Sequence, residues 1–295
     1  MAAIIDFINS LSPQLKFTIC AGSVGLFVYA AKTTLLPTRK RPIKRDWKTD
    51  VVYLYQFPPS PTLPSISPFS IKLESWLRIN QIPYENIPIP VGVFSKEGQI
   101  PFIELNGVEF CDSGFIIDHL TKVFHIEDGL TQEESAIGRA FEQMIENVTF
   151  WSYSLVRYVE KSEEFYCEKA LGWHLSSIIM IITRYILRKG MQRKLWSHGI
   201  GRHSRDDIIR VGVDDLRAVS EYLGEKDFMF GNFASRVDAS IFGVLTQILY
   251  FPVDTPHAET IHKEMKNLVI FSDNFKKEYW PDWNSLYKDF PFEKI

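Results

Sequence analysis

The sequence predicts an α/β domain followed by an all-helical domain, with a membrane helix ahead of both. Three observations carry this reading: an uncharged run from Phe17 to Ala31 closed by basic residues, an Asn-Gly turn between two short alternating segments, and helical periodicity beyond Leu130. The expected units are an anchor over 1–36, a basic linker over 37–49, an α/β domain over 50–126 and a helical domain over 130–285.

The 295 residues leave room for an anchor and two modest domains that each bury a core. With 45% hydrophobic and 23% charged residues and a net charge of -3, the chain lacks the basic excess of a nucleic-acid binder and the polarity of a disordered one. Cys20, Cys111 and Cys167 are odd in number and far apart, so neither a disulfide framework nor a metal cluster is expected.

Phe17 to Ala31 would cover about 22 Å as a helix, short of a ~30 Å hydrocarbon core. Extension through Leu36, with Lys32 snorkelling, completes a span. Arg39, Lys40, Arg41, Lys44, Arg45 and Lys48 follow, which predicts a single-pass membrane protein whose remaining domains face the cytosol. A cleaved signal peptide would carry its basic residues before the apolar run.

Val51 to Phe57 is apolar on both faces, as in a central strand. Ser67-Pro68 fits a helix cap with proline at the first helical position. From there Phe69, Leu73, Trp76, Leu77 and Asn80 trace one helix face. Ile82 to Pro90 reads as an edge strand because of its prolines. Asn106-Gly107 then turns Pro101–Leu105 back on Val108–Cys111, and Asp112-Ser113 opens an apolar helix, Phe115 to Phe124.

In the helical part, Thr131 and Glu134 form a capping box for a helix reaching about Val159. A second helix is expected from Phe165 to Arg188, its Leu175–Ile182 stretch a buried core segment. Lys189, Arg193, Lys194, Arg202 and Arg205 then read as a solvated basic loop, with anionic lipid as the alternative contact. After a helix over Asp206–Leu223, Ser235 and Asp238 stand in reciprocal capping spacing, which makes Asp238 structural.

This order of elements resembles the thioredoxin-like domain of glutathione S-transferases followed by their helical domain. In that family a cis-proline precedes the third strand, and an acidic-Ser pair ends the next; Ile100-Pro101 and Asp112-Ser113 match them. The resemblance implies glutathione as co-substrate, its cysteinyl part on the backbone of Ile100 and its γ-glutamyl group on Asp112 and Ser113. Amides at a helix start suit a carboxylate, and a side-chain carboxylate suits the ammonium. The ending Tyr279-Trp280-Pro281-Asp282-Trp283, taken with Ser67-Pro68-Phe69, is similar to the failed axon connections family, which includes nematode cadmium-responsive proteins and is related to metaxins. The resemblance spans about residues 50 to 285.

Transferases of this kind activate the glutathione thiol with Tyr, Ser or Cys. Ser67 stands at the helix start and Tyr55 near the end of the first strand; the simpler readings are a plain helix cap and a buried strand aromatic. Ser67 and Ser70 keep Cys-x-x-Cys spacing without a thiolate, so disulfide exchange is not expected. Two functions stay open. One is a membrane-anchored, glutathione-dependent transferase in stress, cadmium or xenobiotic response, with a small electrophile between the domains and a homodimer by analogy. The other is a non-catalytic adaptor that binds protein partners at a membrane, as in metaxins. Isolated cysteines argue against direct cadmium binding.

Overall fold

Strands form where β-branched and aromatic residues run together, and helices where capping residues precede apolar periodicity. The computed structural model describes residues 43–89, 94–172, 177–288 and 290, the side chains of 177–180 excepted. The chain divides into two units, Met1–Arg45 and Asp46–Ile295; the second carries the fold described below.

Strand β1 (Val52–Gln56) leads to helix α1 (Pro68–Ile79), strand β2 (Tyr84–Pro88), the hairpin β3 (Phe102–Leu105) and β4 (Val108–Cys111), and helix α2 (Ser113–Val123). The sheet order is β2-β1-β3-β4. β1 runs parallel to β2 and antiparallel to β3. β1 is buried throughout, while β2 lies at the edge with Glu85 and Asn86 exposed. Asn106 and Gly107 both adopt positive φ, 51° and 80°, the conformation this two-residue turn requires. Val52, Leu54, Ile103 and Leu105 share one core with Leu73, Leu77, Ile116 and Leu120 of the two helices.

The helical part begins with α3 (Gln132–Met144), capped as expected by Thr131 and Glu134. It continues through a π-helical turn (Ile145–Thr149), α4 (Phe150–Ser154) and a second π-helical turn (Leu155–Glu160). Short helices α5 (Ser162–Phe165) and α6 (Glu168–Leu171) precede α7 (Ser177–His198), and α8 (Arg205–Leu223) and α9 (Arg236–Leu249) follow. The fold ends with α10 (Pro256–Glu264), α11 (Lys266–Tyr279) and α12 (Trp283–Leu286).

Three expectations are corrected. Among the described residues no helix is long and apolar enough to cross a membrane, which overturns the single-pass, cytosol-facing assignment; the expected anchor over 1–36 lies outside the described residues. The longest helix, α7, has 22 residues but carries Arg184, Arg188, Lys189, Arg193 and Lys194, far too many charges for a bilayer core. That same helix replaces the expected basic loop over 189–194, and Ile181 and Ile182, expected in a core, are exposed. Finally, α1 is buried on nearly all sides rather than on one face, Lys72 and Glu74 included, because it lies between the sheet and α9.

Polar groups buried by this packing are tied in. Glu74 accepts from Gln56 Nε2 at 2.6 Å and from the Tyr84 hydroxyl at 2.9 Å. Arg78 bridges Glu74 and Asp282 and stacks 4.0 Å from the Trp280 ring. Trp280 donates to Ser75 Oγ and Trp283 to the Thr62 carbonyl, each at 3.0 Å, so the aromatic ending clamps onto the α/β part.

His257 is buried, with Nε2 2.9 Å from Ser152 Oγ, and burial pushes its imidazolium down to about 4. The unfolded chain therefore binds the extra proton first as pH falls. Stability from neutral His257 is complete above pH 6.5 and is lost toward pH 4, with a slope of up to ~1.4 kcal/mol per pH unit. Its imidazole NMR signal should titrate with a midpoint near 4, and a midpoint at 6 or above would contradict this assignment.

Candidate functional site

Strand register gathers the expected site residues at one end of the sheet. Tyr55 pairs with Phe102, and Phe102 with Cys111, so the exit of β1, the entry of β3 and the exit of β4 meet there. Pro101 and Asp112 are the next residues along β3 and β4. A β1-α1-β2 crossover with parallel strands also starts α1, and with it Ser67, at this end.

Each residue then has a definite local setting. The Ile100-Pro101 peptide is cis. Asp112 caps α2: its Oδ1 accepts from Gly114 N at 2.9 Å and Phe115 N at 3.2 Å, which leaves Oδ2 outside the cap. Its backbone sits at φ 67°, ψ 122°, a strained conformation for a residue with a Cβ. Ser113 is buried beside it. Arg236 enters from the start of α9: a Cβ placed on Gly114 would lie 3.4 Å from Arg236 Nη2, so a guanidinium stands near the α2 amino terminus.

The two candidate thiol activators are both buried. Ser67 caps α1, its Oγ accepting from Ser70 N at 3.3 Å, and it is only 8% exposed. Tyr55 is fully buried, stacks on Phe102 with ring centroids 4.6 Å apart, and donates its hydroxyl to Glu104 Oε2 at 2.7 Å. The structure thus brings Ile100, Pro101, Asp112 and Ser113 to one end of the sheet, while Tyr55 points its hydroxyl into a buried bond on β3.

Residues that sequence reasoning passed over shape the helical side. Gln247 of α9 donates to the Ser65 carbonyl at 3.1 Å and accepts from Arg157 Nη1 at 2.5 Å. Arg157 is 1% exposed and caged by the rings of Phe251, Phe165, Tyr158 and Tyr153, the nearest centroid 4.1 Å away. Its Nε and Nη2 have no hydrogen-bond partner among the described residues, so ring faces carry much of its charge. Burial raises the Tyr153 hydroxyl well above its usual range, so this ring stays neutral beside the cation.

Lys72 on α1 meets Glu142 at 2.6 Å and Glu146 at 2.5 Å across the domain interface. Glu142 also accepts from Arg236 Nε at 2.8 Å, and Arg236 pairs with Asp118. Burial pushes the Glu142 carboxyl up, but Lys72 and Arg236 together pull it below the usual range. At Glu146 burial wins over Lys72, and the carboxyl is raised.

Gly243 on α9 permits the close approach of α1. An added Cβ would fall 2.5 Å from the Pro68 carbonyl oxygen and 3.2 Å from Lys72 N, both backbone atoms. Gly243→Ala should therefore push the start of α1 away and cost roughly 1–3 kcal/mol in urea unfolding; an unchanged midpoint would show that the interface yields freely.

Sequence profiles described as the amino-terminal and carboxyl-terminal domains of glutathione S-transferase match residues 68–163 and 212–275. Failed axon connections of Drosophila melanogaster is 36% identical over 271 residues, 87% of this chain and 65% of that protein. Mouse metaxin-2 is 20% identical over 80% of this chain and 91% of its own. The chain belongs to the glutathione S-transferase-like, metaxin-related family. It spans about two thirds of the Drosophila relative's length, so that protein's full activity does not transfer to it. Among solved structures, a Ceriporiopsis subvermispora glutathione S-transferase in complex with glutathione superposes with a TM-score of 0.54 at 15% identity, over 77% of this chain and 97% of that one. This likeness establishes the transferase fold for the present family member: a thioredoxin-like α/β domain and a helical domain.

Proposed function

We infer that this protein is a glutathione-binding module that does not conjugate, an adaptor built on the transferase fold. The observation that carries this is the burial of both thiol-activating candidates. Tyr55 is fully buried and donates its proton to Glu104; Ser67 accepts the α1 cap bond and keeps its own proton, but it is buried, at only 8% exposure. A hydroxyl that assists a thiolate must reach it as a donor, and neither is exposed enough to do so. The Arg157 cage and Gln247 fill space beside the start of α1, which further disfavours a bulky electrophile.

Retention of glutathione is supported by the other half of the site. The free Asp112 Oδ2 suits an α-ammonium, and the α2 amino terminus with Arg236 nearby suits a carboxylate. Strain at Asp112 is the kind of backbone feature that persists at ligand sites. Glutathione would supply a thiol there, and Asp112 and Ser113 would orient it through its γ-glutamyl end. A link to cadmium, stress or xenobiotics would then run through bound glutathione rather than through a metal site of this chain.

Calorimetry on the whole protein tests both halves. Glutathione should bind in the micromolar to millimolar range and weaken at least about tenfold in Asp112→Ala, the equivalent of one charge-assisted bond. Turnover of 1-chloro-2,4-dinitrobenzene should not exceed the uncatalysed rate. Activity that disappears in Ser67→Ala would establish a transferase instead, and a folded protein without glutathione affinity would remove the ligand from this reading.

A further inference from the structure

Among the described residues, helix α7 presents a face without a partner. One side packs on the π-helical turn Leu155–Glu160, with Leu195 buried and Trp151 stacked on His198. On the opposite side Ile182, Tyr185, Ile186 and Trp196 are 54, 62, 60 and 59% exposed. With Lys189 and Arg193 they follow three- and four-residue steps (182 to 185 and 186, then 189, 193 and 196), so they form one stripe. Large apolar side chains clustered this way do not stay in water without a function.

The charge around the stripe identifies its occupant. Between Glu168 and Asp206 the sequence contains no acidic residue, while Arg184, Arg188, Lys189, Arg193 and Lys194 all lie on α7. Arg184 pairs with Glu163, but Arg188, Lys189, Arg193 and Lys194 are exposed. Lys189 and Arg193 border an open depression shared with Tyr185, Ile186 and Trp196. A single-sign, basic helix with isoleucine and tryptophan on its outer face fits a layer of anionic headgroups above acyl chains. A folded protein partner would offer mixed charges, which this unbroken basic run would not match.

We propose that α7 docks the protein onto an anionic lipid bilayer, lying in the interface plane with Ile182, Tyr185, Ile186 and Trp196 inserted and its lysines and arginines on the headgroups. The helix does not cross the membrane, and the docking is independent of glutathione.

The test uses the full-length protein and vesicles of phosphatidylcholine with or without 30% phosphatidylserine. Because the chain has seven tryptophans, insertion is read as the quenching by brominated acyl chains that Trp196→Phe removes. With phosphatidylserine present, wild type should show this Trp196-specific quenching, and it should fade as salt rises. Lys189→Glu with Arg193→Glu should lower vesicle partitioning about tenfold or more without changing the circular dichroism. Absence of binding would overturn the proposal. So would binding in which Trp196 is not quenched, since another part of the chain would then hold the membrane; equal binding to neutral vesicles would remove the charge argument.

Discussion

Lys72→Met is expected to lower the stability of the folded protein by about 3–5 kcal/mol, out of the 5–15 kcal/mol typical of a domain. Methionine matches the lysine stem in volume, so packing of α1 against α9 is kept and the loss is electrostatic. In the wild type the buried ammonium faces Glu142 and Glu146 together. Without it, Arg236 still holds Glu142, but Glu146 is left in a buried site beside a second carboxylate. The Glu146 carboxyl is already raised, and losing Lys72 raises it further. A carboxyl raised in the folded state costs stability as pH climbs, so the variant should be weakest near pH 8 and partly recovered near pH 5. Adding Glu146→Gln to Lys72→Met should restore much of the loss. A uniform penalty across pH, or no recovery in the double variant, would mean that Lys72 acts through packing alone.

What could be read from the sequence was local. The Asn106-Gly107 hairpin, the Thr131 box and the Ser67-Pro68 helix start each lie within a few residues, and backbone geometry enforces them at once. Arrangements assembled from distant segments were not legible. Lys72 does not stand out in the sequence because its burial depends on α9, some 170 residues later; the signal available was Ile71, Leu73, Trp76 and Leu77, too many apolar directions for one face. Tyr55 could be judged a buried aromatic, yet its acceptor, Glu104, is fixed only by strand register. Arg157 has Tyr153 one helical turn before it, but the rest of its cage comes from residues 158, 165 and 251, which no periodicity links. At α7 apolar content was mistaken for burial, because hydrophobicity in a sequence does not reveal whether a neighbour covers it.

Asp238→Ala should cost about 3–4 kcal/mol, a penalty whose cause reaches beyond a helix cap. Asp238 is fully buried, and its two oxygens serve two segments. Oδ2 accepts from Ser235 N at 2.8 Å and Ser235 Oγ at 2.7 Å, closing the capping box at the start of α9. Oδ1 accepts from Met229 N at 2.8 Å and so pins the turn that precedes the helix. Alanine would leave the buried amides of Met229 and Ser235 without acceptors, each costing about 1–3 kcal/mol. A cap alone is worth about 1 kcal/mol, so the size of the loss separates the two roles. Asn is the sharper probe: its carbonyl can serve one segment, but its amide nitrogen then faces a donor on the other. Asp238→Asn should therefore lose nearly as much as Asp238→Ala in urea unfolding. If Asn were tolerated within about 1 kcal/mol, the bond to Met229 would be dispensable and Asp238 a cap only. Because α9 also supplies Arg236, Gly243 and Gln247, the loss should reach the site as well, with glutathione affinity falling under conditions where most of the variant is still folded.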